Sequence, residues 1–121
     1  MRYLIISILL LIAPIKEKEI VHATVYNAVV EQTNSDPGHT ASMFKLDLSN
    51  PYKHRIIAVS RDLLIKFPMG TKVMISGTGK YDGEWIVNDK MNKRYSKRID
   101  LLININMSIG SWKSVELTKI N

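Results

Sequence analysis

The sequence predicts an all-β fold, a small barrel or sandwich of about seven short strands with at most two single-turn helices. Three observations lead there. Apolar residues either alternate with polar ones or cluster in short β-branched runs, the signatures of half-buried and fully buried strands. Clusters of Gly, Pro, Asn, Asp and Ser break those runs at close intervals. The chain has 121 residues, room for one domain, and no repeat, low-complexity tract or linker interrupts it after Ala23.

Taken in order, Thr24 to Val30 alternates and is β-branched, whereas Gln32 to Thr40 carries the residues of a loop. Met43 to Leu48 alternates again until Ser49-Asn50-Pro51 breaks it. Arg55 to Ser60 reads as a buried strand, followed by a helical turn over Arg61 to Lys66 in which Asp62 complements the dipole of the first turn. The Pro68-Met69-Gly70 turn leads into a strand from Thr71 to Ser76, and Gly77 to Gly83 turns the chain into Glu84 to Asn88. Strands over Ile99 to Asn104 and Val115 to Ile120 complete the set, with a second helical turn near residues 107–112.

The beginning of the chain follows different rules. After Met1-Arg2 an almost unbroken apolar run extends from Leu4 to Ile15, too short for a bilayer span of roughly 20 residues but suited to the core of a signal peptide. Val21-His22-Ala23 satisfies a signal-peptidase site, so the expectation is export, with residues 1–23 as signal and 24–121 as the domain. Retained uncleaved, the same run would be a membrane anchor. With no cysteine, disulfide frameworks, thiolate metal sites, Cys nucleophiles and Cys-linked lipid anchors are all excluded. The 17 Lys+Arg against 11 Asp+Glu favour anionic partners. For an exported domain these are anionic glycans of the cell envelope rather than nucleic acid.

Several kinds of chemistry have no residues to carry them. His39 and His54 sit in loops without a carboxylate or second histidine at ligand spacing, so no metal or other cofactor is expected. Gly77-Thr78-Gly79 lacks the third glycine and the helix of a phosphate loop, and no serine stands in a nucleophile elbow. What remains is Asp89, which closes one strand, and Asp100, which opens the next. In a small barrel the two could reach one rim, where burial and like-charge repulsion would raise one pKa and make a general acid. Between them lie Lys90, Lys93, Arg94, Lys97 and Arg98, able to oppose that rise or to hold an anionic polymer. The plainer alternative is that Asp89 caps a turn and Asp100 pairs with Arg98 or Lys97. Tyr81 and Tyr95, in polar loops, are candidate platforms for a sugar ring, whereas Trp85 and Trp112 read as core and Asp82 as turn chemistry.

The succession Ile57-Ala58-Val59-Ser60, Pro68-Met69-Gly70-Thr71-Lys72-Val73, Trp85-Ile86-Val87-Asn88-Asp89 and Arg98-Ile99-Asp100-Leu101 resembles the three-aspartate (3D) domain. That domain is a double-psi β-barrel related to rare-lipoprotein-A-like barrels and to the barrel of membrane-bound lytic transglycosylase A. The resemblance covers roughly residues 24–120 and implies six to seven strands. It assigns the acid/base to Asp100 and a supporting role to Asp89. Ser60 stands where the family has its first aspartate, with Asp62 two residues on, and Lys90-Met91-Asn92 replaces a Gly-Gly pair. Ser60, Asp62, Lys93, Arg94, Tyr95 and Arg98 are the expected substrate-binding residues.

The function expected from the resemblance is cleavage of peptidoglycan by a monomeric, exported, lytic transglycosylase-like protein. A non-catalytic barrel that binds the same glycan, and a structural envelope domain with merely paired carboxylates, are the alternatives.

Overall fold

The computed structural model describes residues 16–29 and 38–120. Six strands close into a barrel: β1 (Lys18–Tyr26), β2 (Ile56–Val59), β3 (Lys72–Ser76), β4 (Gly83–Lys90), β5 (Arg98–Leu102) and β6 (Ser111–Lys119). Their order around the wall is β1-β5-β2-β4-β3-β6, with β6 pairing back onto β1. Two 3-10 turns, Pro51–His54 and Arg61–Leu64, are the helical elements among the described residues.

Side-chain alternation explains why these segments become wall. In β3, Val73 and Ile75 point inward between the exposed Lys72, Met74 and Ser76. Val21, Ala23, Ile57, Val59, Trp85, Val87, Ile99, Leu101, Val115 and Leu117 fill the interior with them. β2 is buried on both faces. Ile57 and Val59 face the interior, while Ile56 and Ala58 lie in an outer apolar layer with Tyr26, Leu46, Met91 and Leu102. At Gly77, φ is +121° and a Cβ would meet the Ser114 carbonyl oxygen at 3.0 Å, so this turn requires glycine.

The pairings contain a hidden two-fold relation. β1 runs parallel to β5 and β2 parallel to β4, while the β2–β5, β3–β4, β3–β6 and β1–β6 pairs are antiparallel. Exchanging β1 with β4, β2 with β5 and β3 with β6 leaves every pairing and its sense unchanged. The axis passes between Ala58 and Asp100, which are direct partners. The exchange also carries Thr24, the partner of Asp100, onto Asp89, the partner of Ala58.

The fold departs from expectation in places. Met43 to Leu48 is not a strand; Lys45 makes one isolated bridge to His39, and Met43 turns the chain at φ +67°. No helical turn forms near 107–112, where β6 begins instead at Ser111. β1 starts at Lys18 and runs through the expected cleavage position: Ala23 is fully buried, and Lys18 to Val21 pair with Thr118 to Val115. The charged stretch before it takes part in the wall. Lys18 pairs with Glu116, and Glu19 pairs with Lys66 and Lys97. The apolar run Leu4 to Ile15 lies outside the described residues, as do the last positions of the expected first strand and most of the following loop. Among the described residues, no helix is long and apolar enough to cross a membrane.

Candidate active site

Asp89 reaches the outer face of the barrel because β4 carries a bulge. Ile57 pairs with Val87, but Ala58 pairs with Asp89, so Asn88 is the extra residue. Because side chains alternate with period two, an unbroken register would turn Asp89 toward the apolar interior. On β5 no such device is needed. Ile99 and Leu101 point inward and Asp100 between them points out.

Both carboxylates are thus neighbours of the same residue. Ala58 faces Asp89 on one side and Asp100 on the other. The row continues from Asp100 to Thr24 on β1 and from Thr24 to Ser111 on β6. Ser111, Thr24, Asp100, Ala58 and Asp89 therefore form one line across five adjacent strands. Past Thr24 it opens into a depression of about 570 Å³ lined by Thr24, Val25, Asn27, Ile109, Gly110 and Ser111. The expected meeting place was a rim; the observed one is the wall itself.

The hydrogen bonds of the two acids differ. Asp100 Oδ1 accepts from Thr24 Oγ1 at 2.8 Å. Asp89 Oδ1 accepts from the N–H groups of Ala41 (2.8 Å) and Lys90 (2.9 Å), and its Oδ2 accepts from the Tyr26 hydroxyl at 3.3 Å. Asp89 consequently pins the loop 38–50 against β4, helped by Ser42, whose hydroxyl bonds to Asn88. Neither aspartate has an ion-pair partner among the described residues; Lys97 is paired with Glu19 at 3.7 Å instead.

Burial pushes the Asp100 carboxyl up to about 6, against the opposing pull of the Thr24 hydrogen bond and the Arg98 charge. The charge of Asp89 adds to the rise as the smallest contribution. That ranking follows from spacing, since two strand separations put the backbones roughly 10 Å apart. Asp89 is also raised by burial, although its backbone hydrogen bonds, Tyr26 and Lys90 counteract this. Burial and both carboxylates lift the Tyr26 phenol well above its ordinary range, so it stays a neutral donor.

The other expected residues fall into two groups. Tyr95 packs on the outer apolar layer, with Arg94 and Arg98 against its ring at 4.8 and 4.6 Å. Arg94 Nη2 also donates to the Tyr95 hydroxyl at 2.8 Å, and Lys93 is exposed in the turn before it. Ser60 is fully buried. Its Oγ accepts the Arg98 N–H at 3.0 Å and its hydroxyl bonds to Asp62. Asp62 in turn accepts from the Lys97 N–H at 3.0 Å and from Ser96 Oγ at 3.4 Å. Burial works to raise its pKa, and these hydrogen bonds outweigh that and hold it low. Ser60 and Asp62 thereby fasten the base of the loop 91–97 and do not join the row of carboxylates.

Tyr81 is not a platform. It is 2% exposed, donates its hydroxyl to the Ser108 carbonyl, and packs edge-on against Tyr52 and Trp112. Thr24, Tyr26 and Ser111 were missed because they belong to strands distant in sequence. Their one sequence signal is the polar face that Thr24 and Tyr26 present opposite Ala23 and Val25.

His54 Nε2 accepts the Asp47 N–H at 3.0 Å and its ring meets Phe44 edge-on. Among the described residues no three His, Asp or Glu side chains stand together as metal ligands. No family model and no curated protein sequence matches the chain.

The arrangement can do one thing well. A carboxyl that titrates near pH 6 faces outward from the barrel wall, oriented by a hydroxyl and two strands away from a second carboxylate. This is the equipment for protonating a leaving oxygen and later taking a proton back.

Proposed function

We propose that the chain is an exported, peptidoglycan-cleaving protein of the lytic transglycosylase type, with Asp100 as the acid/base. The observation that carries this reading is the placement of Asp100, raised by burial to about 6, in one outward-facing row with Asp89 across Ala58, next to a cationic loop. The strand order and its two-fold exchange agree with a double-psi barrel and with the 3D-domain resemblance. Export rests on the apolar run Leu4 to Ile15.

In this mechanism protonated Asp100 donates to the glycosidic oxygen between N-acetylmuramic acid and N-acetylglucosamine. The bond from that oxygen to the anomeric carbon breaks, leaving positive charge on the muramyl ring, which Asp89 stabilises as an anion. The Asp100 carboxylate then takes the proton of the C6 hydroxyl as its oxygen closes onto the anomeric carbon. The product is a 1,6-anhydro ring, and Asp100 ends protonated as it began. One carboxyl suffices because no water is activated, unlike the paired carboxyls of hydrolytic glycosidases. Thr24 orients Asp100, and Tyr26 holds Asp89.

The rate should track the protonated fraction of Asp100. Cleavage is expected to fall about tenfold per pH unit above the Asp100 pKa of about 6, and to fall again at acid pH as Asp89, whose pKa burial also raises, takes up a proton. A rate measured against pH on labelled sacculi checks this; a rate that climbs from pH 6 to 8 assigns the acid elsewhere.

The test of the function itself is incubation of the protein with purified sacculi, followed by mass spectrometry of what is released. Anhydromuropeptides are expected. Sacculi that stay intact while the protein sediments with them would replace this reading by that of a glycan-binding barrel. Ser60, locked between Arg98 and Asp62 where the family has an aspartate, is the observation that favours that second reading.

A further inference from the structure

His22 and Ser111 form a pair that the lytic mechanism does not use. His22 Nε2 lies 2.7 Å from Ser111 Oγ, which places a serine hydroxyl beside a base at the reach that nucleophilic catalysis requires. The two are 89 residues apart in sequence, so no local motif marks them. Both are mounted on the barrel wall. His22 stands between the buried Val21 and Ala23 on β1, and its N–H donates to the Lys97 carbonyl at 3.0 Å. The β1–β6 register shifts between Val21 and Ala23, a bulge of the kind that re-aims a side chain. Ser111 opens β6, is exposed, and lines the depression of about 570 Å³ with Ile109 and Gly110. Gly110 is needed there, since a Cβ would meet the Trp112 ring at 2.6 Å. Arg98 is the direct partner of His22 on β5, and its guanidinium donates to Thr24, the partner of Ser111. A nucleophile, a base and a cation therefore meet at the lip of an open depression.

We propose that Ser111 and His22 form a second catalytic centre, which removes an acyl ester from a carbohydrate hydroxyl. In the tautomer that carries its proton on Nδ1, His22 takes the Ser111 proton on Nε2 as Oγ attacks the ester carbonyl carbon. The carbonyl electron pair moves onto its oxygen, where the Arg98 charge opposes the developing anion. Collapse breaks the bond from that carbon to the sugar oxygen, which leaves with the proton from His22. Water then attacks the acyl-serine, gives its proton to His22, and releases the carboxylic acid as Ser111 recovers its hydrogen. The choice of ester rests on the glycan-cleaving reading. Ring closure at Asp100 needs a free C6 hydroxyl, and an ester at C6 leaves no proton for Asp100 to remove. Deacylation at C6 must therefore precede cleavage of such a strand. Ser111 and Asp100 lie on strands two steps apart, roughly 10 Å, so a strand freed at one centre is already beside the other.

Two measurements on the full chain test this. In one, the protein is treated with a fluorophosphonate probe and the modified residue is located by mass spectrometry; in the other, acetate release is followed from glycan strands acetylated at C6. An adduct on Ser111 and steady release of acetate are expected. Ser111→Ala should abolish both. His22→Gln, which keeps a polar side chain at the bulge, should lower acetate release about 100-fold or more. Ser76→Ala, an exposed serine on β3, should change neither. The absence of an adduct on Ser111 overturns the proposal, as does acetate release that survives Ser111→Ala. Acetate released without anhydro products would uphold this centre and refute the lytic mechanism. Anhydro products from unacetylated strands, with no acetate released from acetylated ones, would refute this centre alone.

Discussion

Asp100→Asn is expected to abolish glycan cleavage and, at alkaline pH, to make the protein more stable. The loss of rate follows from one group serving as acid and then base. A positioned acid or base contributes about 10²–10⁴-fold, and a residue with both duties belongs at the upper end. The gain in stability follows from burial. The folded-state pKa of about 6 lies above the ordinary 3.8, so the fold favours the protonated carboxyl. Its contribution is fully present below about pH 4 and is lost as pH rises through 6. A shift of about two units corresponds to about 3 kcal/mol. The variant should therefore match the wild type in urea denaturation at pH 4 and exceed it by up to about 3 kcal/mol at pH 8. A variant less stable than wild type at pH 8 would mean that the carboxylate is held by a charge partner and not penalised by burial. Opposite changes in activity and stability are what a functional acid in an apolar wall should give.

A chain beginning at Thr24 is expected not to fold, whereas one beginning at Lys16 should. Cutting after Ala23 removes Val21 and Ala23 from the interior and the Lys18 to Val21 pairings with β6. Burial of those two side chains is worth roughly 2–4 kcal/mol, against a typical total stability of about 5–15 kcal/mol. The cut also opens the barrel, exposing the edge of β6 to other chains. Dispersed amide signals and a cooperative urea transition for the Lys16 chain, with neither for the Thr24 chain, are the expected results. Equal midpoints for the two would show that the first half of β1 is dispensable. Should the expected result hold, a cut compatible with the fold would have to lie upstream of Lys18.

The sequence made Asp89, Asp100 and the cations between them legible because that information is local: one acid at a strand end, one at a strand start, and a basic turn joining them. Other features depend on register over long distances. Thr24 orients Asp100 only because β1 pairs in parallel with β5, and no spacing within either strand reveals that partner. The bulge at Asn88 decides which way Asp89 points, and nothing in Val87-Asn88-Asp89 marks it. Lys16 to Glu19 reads as a polar spacer until Lys66 and Lys97 are known to meet Glu19 at the barrel end. Met43 to Leu48 shows the reverse case. It has strand alternation, but a left-handed residue and a single bridge leave it a loop. The two-fold relation leaves no repeat in the sequence because equivalent outer positions differ in chemistry, Ala58 against Asp100 and Thr24 against Asp89. That divergence is what converts a symmetric wall into one with a single acid at its axis.

Cleavage of sacculi in water enriched in ¹⁸O tests the central claim most directly, because it asks which oxygen attacks the anomeric carbon. If Asp100 directs ring closure by the C6 hydroxyl, the released muropeptides end in 1,6-anhydro rings and carry no label. Products with a reducing end bearing ¹⁸O would contradict that account and make the two carboxylates a hydrolytic pair.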